Sequence, residues 1–462
     1  MLLESTPLGG AAIRDLEAHL LGELVRPAHD DYAAARQVWN RAVDRRPAMI
    51  VRAADAADVI RAVSFAREQG LPLAVRSGGH SMAGHGTVDG GLVLDLGRLQ
   101  GLSIDPARRV AWAQPGLTWG QYAEQANAHG LATSAGDTAS VGLGGLTLGG
   151  GIGWMVRKYG LAIDNLLSAE LATADGRLLH ASAEEHPDLF WALRGGGGNF
   201  GVATAFQFRL QPAGTILGGG IVYPATCAVL RGWADYASQA PDELTTIVFI
   251  MPAPPAPFIP ADQVGKLVAI IGLCYVGDLE TGQPVVEPLR QLGTPIADIA
   301  GPMPYPAIFA LTDEASRPER AAVRSGYLAT LTDDTLEAIV EHAARMPAPS
   351  GLVQLRALGG AMARVPVEAT AFAHRDKPFM ATVVGSMSDP VDDDRQRAWT
   401  EELWSVLRPR AQGVYMNFLA DEGDARVREA YVPATYARLA AIKRRYDPTN
   451  LFRLNQNIRP TD

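Results

Sequence analysis

The first half of the chain mixes short apolar runs, typical of strands, with longer segments of helical period. Four such runs predict strands at residues 48–51, 71–75, 92–96 and 110–114. Asp55 is placed to cap a helix that ends near Gln69, because Gly70 follows where a left-handed residue closes a helix. The polar-rich segment 11–46 also predicts helix, ended by Pro47.

Further signals extend this alternation of helices and strands to residue 212. Thr118 and Gln121 form a capping box for another helix. A β-hairpin with its turn at Asp175-Gly176 is followed by a strand at 203–210. The proline and glycine content of residues 212–220 then marks a candidate domain boundary.

After the boundary the pattern changes to longer apolar strands and amphipathic helices. Strands are predicted at 245–251, 266–275, 354–358 and 380–385, and helices at 332–346, 392–407 and 425–445. Residues 252–262 carry five prolines, so this segment cannot pair inside a sheet and is predicted as a long loop, a lid or a contact between subunits. The fold class is therefore α+β, with an antiparallel sheet and helices on one face.

Composition narrows the class of protein. The chain has 462 residues, is 47% apolar and 20% charged, and is long enough for two globular domains. Its net charge of −9 argues against a nucleic-acid or anionic-membrane partner. No run reaches the roughly 18 apolar residues of a membrane span, and residues 1–10 lack a secretory pattern, so we expect a cytoplasmic protein. Cys227 and Cys274 match no metal-ligand spacing, and no metal is predicted.

The predicted strand at 71–75 leads into residues 75–81, Val-Arg-Ser-Gly-Gly-His-Ser, which we call the first glycine loop. Gly78 and Gly79 let the backbone N–H groups approach a ligand, and consecutive N–H groups suit a pyrophosphate. His80 lies at the edge of this cradle, where an imidazole can be a nucleophile, a ligand or an acid/base. Charge and hydroxyl donors come from three further side chains, Arg76, Ser77 and Ser81.

Residues 134–154, the second glycine segment, contain eight glycines. We expect neither helix nor strand there, but backbone wrapped around a large flat ligand. A Rossmann fingerprint is the alternative, but Thr147 stands where its third glycine belongs. Two more segments belong to the pattern, a third glycine patch at 194–202 and an asparagine-rich C-terminal segment at 446–458.

These four segments, in this order, resemble the motifs of the berberine-bridge-enzyme-like branch of the vanillyl-alcohol-oxidase flavoprotein superfamily. The resemblance covers nearly the whole chain. It implies a two-domain PCMH-type FAD-binding fold, in which residues 1–212 and 423–462 form the FAD-binding domain and residues 213–422 the substrate-binding domain. The residues that it implies for FAD binding are Arg76, Ser77, Gly78, Gly79, His80, Ser81, Gly84, Gly136, Asp137, Thr138, Val141, Gly142, Gly144, Gly145, Gly150, Gly151, Gly153, Trp154, Gly201, Val202, Asn455 and Asn457.

The resemblance also implies a covalent cofactor. In this family the histidine of the first glycine loop is bonded to the 8α-methyl carbon of FAD, and here that residue is His80; a simple pyrophosphate donor is the alternative. Many relatives form a second bond through a cysteine, whose place is taken here by Thr138. Because a hydroxyl cannot replace a thiolate, a single bond is expected, and Thr138 either hydrogen-bonds near the reaction centre or only packs. Val141 occupies the family's dioxygen gate, where valine accompanies oxidase activity.

Tyr415-x-Asn417 resembles the family's Tyr-x-Asn strand over the flavin, which implies Tyr415 as the catalytic base. A tyrosine with an ordinary pKa near 10 needs a positive neighbour for that role. Arg356, His374 and Arg375 are candidates on facing strands. A phenol that only positions substrate, and a surface pair at 374–375, remain the alternatives.

The resemblance implies an FAD-linked oxidase that takes a hydride from an alcohol, an amine or another small metabolite. Dioxygen is the electron acceptor and hydrogen peroxide the product. A flavin-N5-oxide or other flavin-dependent monooxygenase of secondary metabolism is the alternative within the family. A flavin-binding scaffold without turnover is the alternative from another class. The expected partners are a small-molecule substrate and dioxygen, and a homodimer through the middle strands stays open.

Overall fold

Three large sheets carry the part of the chain that the computed structural model describes, residues 9–347, 350–387 and 389–461. The first sheet has four strands in the spatial order Glu23–Val25, Met49–Arg52, Leu92–Asp95 and Leu73–Arg76. The second is antiparallel, in the order Leu102–Asp105, Val110–Ala113, Val202–Arg209, Leu166–Ala172 and Leu178–Ser182. A short ribbon pairs Leu131–Ala132 with Gln211–Pro212. The predicted hairpin is thus confirmed by the pairing of the last two strands of the second sheet.

The two helices with sequence-encoded caps form where they are predicted. The Asp55 carboxylate accepts the N–H of Asp58 at 2.8 Å, and its helix runs over Ala56–Glu68. The capping box of Thr118 and Gln121 is complete and begins the helix Trp119–Asn127. Each cap satisfies N–H groups that would otherwise lack an acceptor, which fixes the start of the helix.

The prediction of helix across residues 11–46 is wrong beyond His19. A helix covers Gly10–His19, but Glu23–Val25 pairs antiparallel with Met49–Arg52 and becomes the edge strand of the first sheet. Only Tyr32–Ala35 forms another helical turn. Pairing with a distant strand has overridden the local helical pattern here.

The second glycine segment does contain a helix, contrary to expectation. Leu143–Gly149 is helical although it holds three glycines. A Cβ at Gly144 would lie 3.0 Å from Pro115, and one at Gly149 would lie 2.0 Å from the side-chain oxygen of Asn417. The glycines therefore let this helix approach its neighbours more closely than any other residue would allow.

The third sheet is antiparallel, and its main path has seven strands. Their spatial order is Ala297–Asp298, Thr215–Pro224, Leu267–Tyr275, Leu244–Pro252, Ser350–Ala357, Phe379–Met387 and Arg320–Leu328, with Gly301–Pro304 also pairing Thr215–Pro224. Four helices cover one face: Cys227–Gln239, Leu279–Arg290, Asp333–Ala343 and Asp393–Leu407. The predicted antiparallel sheet with helices on one face is confirmed.

Residues of each strand alternate between the two faces of this sheet. On Ser350–Ala357, Val353 and Leu355 pack into the core under the helices. Gln354 and Arg356 lie on the opposite face. That opposite face packs in part against Trp154 of the second glycine segment. It is the face that bounds the candidate site.

Two predicted boundaries shift in the structure. The C-terminal helix predicted at 425–445 is divided into Asp424–Glu429 and Pro433–Tyr446, because Pro433 begins a new helix at its first turn. Gly218, Gly219 and Gly220 lie inside the strand Thr215–Pro224 and not in a linker. The domain limits at 212 and 422 themselves stay predictions.

The remaining helical segments are short and connect these layers. They are Val156–Tyr159, Ala162–Asp164, Pro187–Leu193, Gly197–Asn199, Tyr305–Ser316, Ala361–Arg364, Val367–Ala369, Pro390–Asp392, Arg408–Arg410 and Met416–Phe418. Across the described residues, none of the helices has the length and apolar character needed to cross a bilayer. The expectation about a secretory pattern in residues 1–10 lies, up to residue 8, outside the described part of the chain.

Candidate active site

A cavity of about 720 Å³ is lined by strands of all three large sheets. The first glycine loop, the second glycine segment, the third glycine patch and the C-terminal segment all contribute to its wall. So does the proline-rich loop at 252–262, through Pro254, Ala256 and Phe258. The segments singled out in the sequence thus meet around one space.

The first glycine loop and the second glycine segment touch backbone to backbone. A Cβ on Gly78 would lie 2.3 Å from the amide nitrogen of Gly142, and one on Gly142 only 2.2 Å from that of Gly78. Ser77 joins the two segments, since its Oγ donates to the carbonyl of Pro115 at 2.5 Å and accepts the N–H of Gly144 at 3.3 Å. Both glycines are required by this approach.

The peptide N–H groups of residues 78–81 have no acceptor among the described residues. Charge at the loop is arranged differently from our expectation. The guanidinium of Arg76 donates to the carboxylate of Asp95 at 2.7 Å and to the carbonyl of Ala35 at 2.6 Å. Arg76 therefore braces the loop, and the donors left for an anion are peptide N–H groups.

His80 lines the cavity, and only one of its two ring nitrogens has a hydrogen-bond partner among the described residues. Its Nε2 lies 3.1 Å from the Oγ of Ser140, and its ring stacks on Trp39 with centroids 5.5 Å apart. Nδ1 has no hydrogen-bond partner among the described residues. Burial lowers the pKa of His80 to about 4, so the ring is neutral at physiological pH. If Nε2 carries the proton and donates to Ser140, the lone pair of Nδ1 is free.

Thr138 and Val141 both line the cavity. Thr138 is buried, and its Oγ1 donates to the Oδ1 of Asp137 at 3.3 Å. The same carboxylate receives the Nη2 of Arg356 at 2.5 Å through its other oxygen. Asp137 thus provides a polar link between the second glycine segment and the third sheet.

Tyr415 lies in the cavity wall just before the helical turn Met416–Phe418, so the predicted strand is wrong at this point. Its hydroxyl accepts two hydrogen bonds, from the N–H of Gly151 at 2.9 Å and from Nδ2 of Asn417 at 2.8 Å. Burial raises the pKa of Tyr415 to about 12. With both lone pairs engaged, the hydroxyl retains a proton to donate.

Of the three cations proposed beside Tyr415, Arg356 alone lies in the cavity wall, and it is also the one on a strand. Arg375 pairs with Asp164 through a 2.7 Å contact and is buried elsewhere. His374 bonds the carbonyl of Glu429 at 2.8 Å. The alternative of a surface pair is also wrong, because both side chains are largely buried.

The C-terminal segment is fastened to the third glycine patch. Nδ2 of Asn455 donates to the carbonyl of Gly198 at 3.1 Å, and Oδ1 of Asn199 accepts the N–H of Ile458 at 2.9 Å. The buried Oδ1 atoms of Asn455 and Asn457 have no donor among the described residues. Asn455 lines the cavity, so its free acceptor is available to a bound molecule.

Comparisons with known proteins identify the family of this chain. Residues 47–182 match a family model described as FAD binding domain, and residues 414–459 match one described as Berberine and berberine like. The chain is 32% identical over 457 residues to (R)-6-hydroxynicotine oxidase from Paenarthrobacter nicotinovorans, which covers 95% of this chain and 97% of that protein. This chain belongs to the berberine-bridge-enzyme-like family of FAD-linked oxidoreductases.

Other members of the family agree. Xylooligosaccharide oxidase from Thermothelomyces thermophilus is 29% identical over 463 residues, covering 92% of this chain and 89% of that protein. The crystal structure of 6-hydroxy-D-nicotine oxidase from Arthrobacter nicotinovorans superposes with a TM-score of 0.87 at 29% identity, covering 96% of this chain and 98% of that one. The predicted family and its two-domain PCMH-type FAD-binding fold are confirmed, and the protein is an oxidoreductase enzyme.

The cavity of this family member fits FAD on its own chemistry. It offers four peptide N–H donors at residues 78–81 for a pyrophosphate and a free amide oxygen at Asn455 for a polar ring edge. A Cβ on Gly145 or Gly198 would meet nothing within 4 Å, so the wall there leaves open space. The residues present therefore suit a long ligand with an anionic middle.

Seven of the residues proposed for FAD binding do not line the cavity, and each has another role or position. Gly150 and Gly151 have positive φ and make room for Phe372 and Ala162 respectively. Trp154 donates its indole N–H to the carbonyl of Asp137 at 3.3 Å. The other four are also absent from the lining: Gly84, which packs against Val43, Gly136 and Gly153, which lie against each other, and Asn457.

Several lining residues escaped the sequence reasoning. Trp39, which stacks on His80, stands in a segment without a motif. Ser140 does not itself line the cavity but contacts His80 there; it lies within the second glycine segment, and its hydroxyl was a detectable signal. Gln354 and Thr382 were detectable only from the alternation of their strands, which does not say which face is the binding face.

Proposed function

We propose that this enzyme is an oxidase that holds FAD through a single covalent bond from Nδ1 of His80 to the 8α-methyl carbon. The observation that carries the proposal is the neutral imidazole of His80 in the cavity wall, which has one nitrogen hydrogen-bonded and the other without a partner among the described residues. It lies next to peptide N–H groups that have no acceptor there. When bound, FAD supplies a hydride acceptor for the substrate and is reoxidised by dioxygen, giving hydrogen peroxide.

The chain prepares His80 for that bond in three ways. Burial keeps the imidazole neutral, so that a nitrogen lone pair is available as a nucleophile. Ser140 fixes the position of Nε2, and Trp39 fixes the plane of the ring. The bound cofactor would supply the methyl carbon for this bond; the methyl group would lose one hydrogen and His80 its Nε2 proton, with dioxygen as the acceptor of the two electrons.

Thr138 supports the single bond. The family's second covalent bond needs a thiolate, and a threonine hydroxyl remains protonated at neutral pH. The Thr138 hydroxyl here donates toward the Asp137 carboxylate. That contact favours a packing and hydrogen-bonding role over a covalent one.

Tyr415 is better suited to donate a hydrogen bond than to remove a proton. Its pKa of about 12 and its two accepted hydrogen bonds favour the positioning role over the base. A phenol held in this way presents its proton to a substrate oxygen or nitrogen in the cavity, which orients the reacting carbon.

Tyr415→Phe is expected to slow substrate-dependent flavin reduction by roughly 100-fold, because a positioned hydrogen-bond donor is lost. In the unmodified enzyme the rate should show no tyrosine ionisation between pH 6 and about 10, since the phenol titrates near 12. Anaerobic stopped-flow absorbance measures both. A step with an apparent pKa below 9 that disappears in Tyr415→Phe would restore the base hypothesis.

Val141→Ile is expected to slow reoxidation of the reduced enzyme by dioxygen several-fold while leaving flavin reduction nearly unchanged. The added methylene reduces the space for dioxygen in the cavity beside residue 141. Mixing the reduced enzyme with oxygenated buffer gives the rate. Val384→Ile, the same enlargement on the third sheet, is the control, and an equal effect of both variants would remove the gate.

The activity itself is tested by screening alcohols, amines and other small metabolites for peroxide release. One peroxide formed for each substrate oxidised is the expected stoichiometry. Incorporation of ¹⁸O from labelled dioxygen into the product, without peroxide, would overturn the oxidase and favour a monooxygenase.

A further inference from the structure

Arg356 faces the cavity with most of its hydrogen-bonding capacity unused. Its side chain is 3% exposed, and it lines the cavity from the strand Ser350–Ala357. Only Nη2 has partners, the carboxylate of Asp137 at 2.5 Å and Oε1 of Gln354 at 2.6 Å. Nε and Nη1 are buried without an acceptor among the described residues. A guanidinium carries five N–H bonds, so three of them lack an acceptor here.

A second donor lies on the neighbouring strand of the same sheet. Thr382 lines the cavity, and its buried Oγ1 has no partner among the described residues. Gln354 and Thr382 are directly paired in register across the two strands. Most buried donors in proteins have an acceptor, so two side chains with unmet donors on one cavity wall point to an acceptor that a ligand supplies.

The charges decide which acceptor fits best. Asp137 already balances the charge of Arg356. The other acidic side chains of the lining, Asp313 and Glu319, are negative as well, while Arg76 is paired with Asp95. A carboxylate beside Arg356 would therefore add an uncompensated buried negative charge, which is costly. A neutral carbonyl oxygen accepts the same N–H groups without that cost.

Building on the oxidase proposed above, we infer that the substrate is a molecule with an uncharged carbonyl oxygen, held by Arg356 and Thr382 of the third sheet. These two side chains anchor the substrate through that oxygen and so determine its orientation. The group seated there is a ketone, an amide or an ester, and not a carboxylate.

Calorimetric titration of the purified flavoprotein with three probes of similar size tests this: acetophenone, α-methylstyrene and benzoate. The first two differ in having an oxygen or a methylene at the same place. We expect acetophenone to bind roughly tenfold more tightly than α-methylstyrene, the worth of a hydrogen bond to a charged donor. Benzoate should bind more weakly than acetophenone.

Arg356→Lys keeps the positive charge beside Asp137 but removes the planar fork, and it should abolish most of the preference for acetophenone. The double variant Arg356→Met, Asp137→Asn removes both charges together and serves if the single variant does not fold; its ratio should be near one. Equal binding of acetophenone and α-methylstyrene, an unchanged ratio in the variants, or tightest binding of benzoate would overturn the inference. Flavin absorbance after acid precipitation of the same samples tests the proposed covalent FAD separately, since extractable flavin would contradict that proposal while the probe ratios still decide this one.

Discussion

His80→Ala is expected to convert the FAD of this enzyme from a form that stays with acid-precipitated protein to one that is fully extracted. Alanine has no nucleophilic nitrogen, while the peptide donors at residues 78–81 remain to bind the cofactor non-covalently. Absorbance of the pellet and the supernatant after acid precipitation measures the change. Peptide mass spectrometry of the unmodified protein should find the flavin mass on the peptide that contains His80.

His85→Ala is the matched control for this experiment. His85 also lines the cavity, and burial lowers its pKa to about 4 as well, but it lies outside the first glycine loop. Its replacement should leave the flavin acid-stable. Extractable flavin in the unmodified protein, or in both variants equally, would contradict the covalent role of His80.

The low pKa of His80 also predicts how attachment depends on pH. Only the neutral imidazole can form the bond, and with a pKa of about 4 it is the main form at any higher pH. Attachment of FAD to the apoprotein should therefore proceed at a nearly constant rate from pH 8 to about 5. A histidine with an ordinary pKa of about 6.5 would instead lose most of its rate over that interval.

Lys443→Met is expected to lower the free energy of unfolding by about 3–5 kcal/mol, because it leaves a buried carboxylate without its cation. Lys443 and Asp447 are both completely buried and lie 2.8 Å apart. The Lys443 ammonium also donates to the carbonyls of Asn199 and Phe452, which fastens the C-terminal segment to the third glycine patch. Urea unfolding followed by tryptophan fluorescence measures the loss.

An exposed ion pair on the same C-terminal region provides the comparison. Arg459 and Asp424 approach within 2.5 Å, but both side chains are more than 60% exposed. Arg459→Met should cost at most about 1 kcal/mol, since solvent screens such pairs. If the two variants lost equal stability, the buried pair of Lys443 and Asp447 would not hold the C-terminal segment more strongly than an exposed ion pair does.

The helix starts that the sequence predicted correctly are those encoded by neighbouring residues. The caps at Asp55 and Thr118 need only the next three residues, and both helices begin where expected. The glycine motifs were found because a close backbone approach tolerates no other side chain, as at Gly78 and Gly142. These motifs gave both the family and the position of the cavity.

What the sequence did not reveal depends on residues far apart in the chain. The pair of Arg356 and Asp137 spans 219 positions, and the hydrogen bond from Gly151 to Tyr415 spans 264. No local pattern encodes either contact. The helix Leu143–Gly149 was missed for the same reason, because its glycines fit neighbours that only the folded chain supplies.

Side chains alternate between the two faces along each strand of the third sheet, so substitutions that affect the core fall at different positions from those that affect the cavity. Val353 and Leu355 pack into the helix-covered core, whereas their neighbours Gln354 and Arg356 lie on the opposite face and line the cavity. The cavity-facing side chains of a strand can therefore be replaced during evolution while the core-facing ones stay unchanged. A mutant library confined to these cavity-facing positions varies the substrate selectivity without changing the core that stabilises the fold. This sheet is therefore a suitable target for directed evolution.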